Sequence, residues 1–72
     1  MVFELRDHDS GKLIHRYATE GAALALVRDV VRIGGRDRAA AFTLAECADN
    51  GEEVVLASGP ALVQRALEDR AE

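Results

Sequence analysis

From Val2 to Asp7 apolar and polar side chains alternate, with Phe3 and Leu5 on one face and Glu4 and Arg6 on the other. That two-residue period predicts a half-buried strand. Asp9-Ser10-Gly11 then predicts a three-residue turn, with Gly11 in the left-handed region. "KLIHRYA" alternates again, so residues 2–18 predict a β-hairpin. Its most economical register pairs Leu5 with His15 and Phe3 with Tyr17, and places Leu13 on the same face.

The period then changes. Thr19 predicts an N-cap, Glu20 suits the first turn of a helix, and "EGAALALVRDVVRI" repeats its apolar residues at helical spacing up to Gly34-Gly35. On a helical wheel Ala23, Leu24, Leu26, Val27, Val30, Val31 and Ile33 cover about half the circumference. One sheet face does not need so wide an arc. The helix is therefore expected to touch a second helix or another subunit as well. "GRDRA" reads as a connector. "AAFTLAEC" predicts a third strand and "EEVVLA" a fourth, with "DNG" as the turn between them. Ser58 or Gly59 caps a second helix, with Pro60 in its first turn and a narrower stripe of Leu62, Val63, Ala66 and Leu67.

The predicted order is ββαββα: one α+β domain over residues 1–72, a four-stranded, mostly antiparallel sheet with two helices on one face. The two halves share a phrase. Phe3-x-Leu5, Asp9-x-Gly11 and Thr19 match Phe42-x-Leu44, Asp49-x-Gly51 and Ser58, which fits an internal ββα repeat. The Phe-to-Gly spacing differs by one residue, so one hairpin is expected to carry a bulge or another loop type.

At 72 residues the chain is short for building its own core. Cys47 is the one cysteine, which excludes an internal disulfide and a cysteine-based zinc site. Association is then the expected reinforcement. The sequence shows no signal peptide and no apolar run long enough to cross a bilayer, so a cytoplasmic location is expected. Eight arginines against one lysine, with many alanines, match a GC-rich bacterial genome.

Candidate chemistry is sparse. His8 and His15 with Asp7 and Asp9 lack any recognisable metal-ligand spacing, and His15 is expected to sit partly buried beside Leu5. The acidic surroundings of Cys47 predict an ordinary thiol. With no nucleophile elbow, P-loop or dinucleotide fingerprint, neither an enzyme nor a cofactor is expected. Charge is more informative. Arg28, Arg32, Arg36 and Arg38 follow one side of the first helix and its exit, a possible anion patch. Glu46, Asp49, Glu52 and Glu53 gather at the second hairpin tip, and Glu68, Asp69 and Glu72 near the C-terminus. The net charge is −4 and no aromatic residues interleave the arginines, which makes nucleic acid the weaker partner.

The run "YATEGAALALVRDVV" resembles short bacterial proteins in which a hairpin leads into a "T-E-E-A-L"-type helix. It is also similar to the small domain of HicB-like antitoxins, where a β-meander precedes an Ala-Leu helix. The likeness covers Tyr17 to Val31; the chain departs from the antitoxin pattern in its second hairpin and in lacking a DNA-binding tail. No functional residue carries over.

The expected function is a protein–protein interaction module, a homodimer or an accessory subunit. The alternative is an antitoxin-like or regulatory module that contacts nucleic acid through the arginines. A homodimer would use the flanks of the first helix, Leu26 and Ile33 on one side and Leu24 and Val31 on the other. The first strand, with its moderate charge, is expected to lie on an open sheet edge.

Overall fold

A computed structural model of the chain describes residues 1–68. Strands β1 (Val2–Asp7) and β2 (Leu13–Tyr17) form the first hairpin, followed by helix α1 (Glu20–Gly34). A one-turn helix α2 (Arg36–Ala39) leads to strands β3 (Phe42–Cys47) and β4 (Glu53–Ser58), and helix α3 (Gly59–Glu68) closes the described chain. The order ββαββα holds, with α2 added where the sequence reads as a connector.

The four strands form one antiparallel sheet in the order β2-β1-β3-β4. β1 is thus central rather than an edge strand, because β3 returns to pair with its free side; the edges are β2 and β4. The first hairpin has the expected register, Phe3 opposite Tyr17 and Leu5 opposite His15, and Gly11 has a positive φ of 73°. Beyond Leu5 the register shifts. Arg6 faces Leu13, so Ile14 is the extra residue of a bulge and Leu13 moves to the face opposite Leu5.

The second hairpin has the same defect at the same place: Leu44 faces Ala57 and Ala45 faces Val55, leaving Leu56 extra. Both hairpins are therefore bulged. The unequal Phe-to-Gly spacing comes instead from the longer arms of the second hairpin, where pairing continues to Cys47 opposite Glu53.

β1 and β3 run antiparallel with Leu5 directly opposite Leu44, Phe3 opposite Glu46, and Asp7 opposite Phe42. A shift of 39 positions carries Phe3 to Phe42 and Leu5 to Leu44, and maps this ladder onto itself. The same shift relates the buried helix residues Ala23 to Leu62, Leu24 to Val63 and Val27 to Ala66. The halves are related by a pseudo-twofold axis through the Leu5–Leu44 pair. Side-chain size does not follow the symmetry: where α1 has alanine α3 has leucine, and where α1 has valine α3 has alanine. Two helices sharing one core close-pack by such complementary sizes.

That core lies between the helices and one sheet face. Leu5, Leu44, Ala23, Val27, Ala39, Leu62 and Ala66 are fully buried, with Leu24 and Val63 nearly so. α1 packs against α2 and α3 as well as β1 and β2, which accounts for its wide apolar arc. Thr19 caps α1, its Oγ1 accepting from the Ala22 N–H at 3.2 Å. α3 follows β4 without a connector, and Gly59 supplies the turn with a φ of 60° while fully enclosed. No helix of the described residues is long and apolar enough to cross a membrane.

Candidate functional site

The helix-free face of the sheet is built from Val2, Glu4 and Arg6 of β1, Thr43, Ala45 and Cys47 of β3, Leu13 and Arg16 of β2, and Val55 of β4. Glu4 is at its centre and only 7% exposed. Its carboxylate accepts from Arg16 Nε at 2.9 Å and from Arg6 Nε at 3.0 Å. Arg6 also reaches across β3 to Glu53 on β4, its Nη2 donating to Oε1 at 3.0 Å. The row Arg16–Glu4–Arg6–Glu53 therefore spans all four strands, and Ala45 beneath it is fully buried.

The electrostatics follow from the contacts. The Arg6 hydrogen bond, helped by Arg16 and the Cys47 thiol and opposed by burial, holds the Glu4 carboxyl below the usual glutamate range. Arg6 is held more firmly protonated, first by Glu53 and then by Glu4. Burial, with Glu4 and Glu53 nearby, pushes the Cys47 thiol up, which fits an unreactive cysteine. Every group in this row has a partner, so the face closes itself with charge and hydrogen bonds.

The edges are closed less evenly. On β2 Leu13 and Ile14 are partly exposed beside His15 and Arg16, which face opposite sides of the sheet; His15 is exposed rather than partly buried and meets Tyr17 edge-on, ring centroids 4.8 Å apart. Its place on the edge strand leaves one side of the ring without a neighbouring strand. On β4 the corresponding row includes Val54 and Val55, 57% and 58% exposed. The backbone there is aimed outward. Glu52 O accepts from Ala48 N at 2.8 Å, which turns the Glu52 peptide groups toward β3. Alternation along an antiparallel ladder turns those of Val54 toward β3 too, and those of Val55 away from it. Val55 thus presents an N–H and a C=O, with an apolar side chain between Val54 and Leu56, at an edge with no further strand.

The ends of β4 differ in charge. At its start lies the acidic tip with Asp49, Glu52 and Glu53; Asp49 pairs with the N-terminal ammonium at 2.6 Å, which lowers its carboxyl. At its end lies α2. Ala40 O is 3.8 Å from where a Gly59 side chain would begin, and Arg36 and Asp37 share a shallow cleft with Pro60 and Val63. Arg36 and Arg38 are exposed there.

The residues singled out from sequence are distributed differently. Leu24 is 3% exposed within the core and has no surface left to offer a partner. Leu26 and Val31 pack partly against that core, and only Ile33, 82% exposed, stands clear. Arg28 donates to Ala66 O at 3.2 Å and so serves the end of α3, while Arg32 bonds Asp29 at 3.0 Å. The arginine patch is therefore divided between structural contacts and the α2 corner. His8 lies 3.0 Å from Thr43 Oγ1, and no metal-holding group of acidic, His or Cys residues occurs among the described residues. Asp69 and Glu72 lie outside the described residues.

Val54 and Val55 were legible only as part of a strand; nothing in "EEVVLA" says that the strand has one neighbour and not two. The signal available was the uncharged stretch Val54 to Ala57, against the charges at both Lys12 and Arg16 of "KLIHRY". No family model, curated protein or solved structure matches this chain.

Proposed function

We propose that the chain is a small protein–protein interaction module that works by adding a further polypeptide strand to β4. One observation supports this reading: an apolar edge strand whose Val55 backbone groups and side chain face outward. Unpaired edges of this kind are ordinarily shortened, charged or covered. Main-chain hydrogen bonds to an added strand would supply affinity, and Val54 and Val55 would select an apolar segment.

The experiment is amide hydrogen exchange at Val55, over a range of protein concentrations and with valine-rich extended peptides as surrogate strands. Protection of the Val55 amide in the native chain supports the reading, provided that the Glu53 amide, outward by the same alternation, is protected with it and loses that protection in Val55→Pro without unfolding. A Val55 amide that exchanges freely in every one of these conditions defeats it. Proline is the discriminating change because it deletes one outward N–H and blocks a new strand, yet edge positions tolerate it.

A further inference from the structure

We infer that the strand received by β4 is the β4 of a second copy, paired antiparallel about a twofold axis at Val55, so that two sheets join into one of eight strands. This rests on the edge reading above and goes further by naming occupant and register.

Three observations lead there. First, an antiparallel pair related by a true twofold must place one residue opposite itself, since neighbouring pairs alternate in hydrogen bonding. Val55 is the residue of β4 whose outward backbone groups and exposed side chain meet that condition at mid-strand. Second, β4 is polarised along its length. Asp49, Glu52 and Glu53 lie at its start, and the exposed turn of α2 lies at the corner beside its end, where Arg36 and Asp37 border Pro60 and Arg38 lies against Gly34, leaving one net positive charge. Antiparallel self-pairing brings the acidic tip of each copy to the basic corner of the other, twice over, and keeps the two acidic tips apart by about one strand length, roughly 17 Å. Opposite charges so placed fix orientation as well as adding attraction. Third, no ion pair engages Arg36 or Arg38 within the described chain, so both are available to a partner.

The first measurement is disulfide formation by Val55→Cys in a Cys47→Ser background, where serine keeps a donor for Glu4. Directly opposed, hydrogen-bonded residues have Cα atoms about 5.5 Å apart, within the range a disulfide bridges. Mild oxidation is expected to give a covalent dimer from this variant and not from Ile33→Cys in the same background. The second is sedimentation of Arg36→Glu/Arg38→Glu, of Asp49→Lys/Glu52→Lys, and of their equimolar mixture. Each alone is expected to dimerise at least about tenfold more weakly than the native chain, and the mixture to recover as a heterodimer.

A native chain that is monomeric at tens of micromolar overturns the second copy as occupant, while peptide-dependent protection at Val55 still supports the edge reading. A dimer that survives Val55→Pro overturns both. A dimer lost in Val55→Pro but indifferent to the charge reversals, or cross-linked equally through Ile33→Cys, overturns the register alone and with it this inference.

Discussion

The two ββα halves share a backbone plan down to a bulge at the same step of each hairpin, yet their outer strands differ: β2 sets its exposed Leu13 and Ile14 beside His15 and Arg16, whereas Val54 to Ala57 of β4 carry no charge. In the first half Arg16 turns inward to Glu4, and His15 with Tyr17 furnishes the other face of β2. In the second half the corresponding strand shows Val54 and Val55 to solvent. A core imposes the same demand on both halves, because each contributes one leucine to the central pair and one helix to the lid. The edges have no such shared constraint. Under the proposed function, the difference between them is the part of the molecule where binding, rather than folding, would govern residue choice.

The most severe way to test the equivalence of the halves is at the axis itself. Leu5→Ala and Leu44→Ala each remove a fully buried side chain and are expected to cost about 2–5 kcal/mol. The two values are expected to agree closely in denaturant unfolding. A large disparity would break the symmetry of the core.

Glu4 has no equivalent in the second half, where Thr43 takes its place on β3. Glu4→Gln is expected to lose about 1–3 kcal/mol at neutral pH, since two arginines lose a charged acceptor. The folded carboxyl is held below its ordinary value of 4.5, so its contribution is complete above that pH and fades as pH falls through the lowered folded value. Melting curves of both proteins from pH 7 to pH 3 are expected to converge toward the acid end. A gap that is constant with pH would show that Glu4 acts by shape alone.

Gly11 and Gly51 adopt φ values of 73° and 91°, and no atom lies within 4 Å of where either side chain would start. Gly11→Val and Gly51→Val are each expected to cost ~1 kcal/mol or more through backbone strain, without a steric clash. Thermal melts showing either variant unchanged would remove that turn from the comparison.

The smallest expected effect concerns the helix starts. Thr19→Ala removes a side-chain cap and is expected to cost about 1 kcal/mol. Ser58→Ala is expected to cost less, because α3 leaves β4 directly through Gly59 and the Ser58 side chain holds no hydrogen bond among the described residues. Equal losses in the two variants would assign Ser58 a cap after all.

The order of elements and their type were legible in the sequence. So were the register of the first hairpin as far as Leu5 opposite His15, the positive φ at Gly11 and the likeness of the halves. These rest on local causes: alternation, helical spacing, turn chemistry and a capping threonine. The candidate surface was much less legible. Leu24 and Leu26 look like free flanks on a helical wheel, but a wheel cannot show that α3 packs beside α1 and encloses Leu24. Arg28 reads as a surface cation until the end of α3 is brought beside it.

By itself the sequence determined which segments form strands and helices, because side-chain periodicity and backbone preference act within a few residues. Tertiary structure decided which strand lies at an edge. β3 pairs with β1, and that one long-range choice leaves β2 and β4 outermost, buries Glu4 between two arginines, and turns the Val55 peptide groups outward. Strand order depends on contacts between residues some forty positions apart, such as Leu5 with Leu44. No local pattern encodes it, since the same alternating strand satisfies its own period equally well with one neighbour or two.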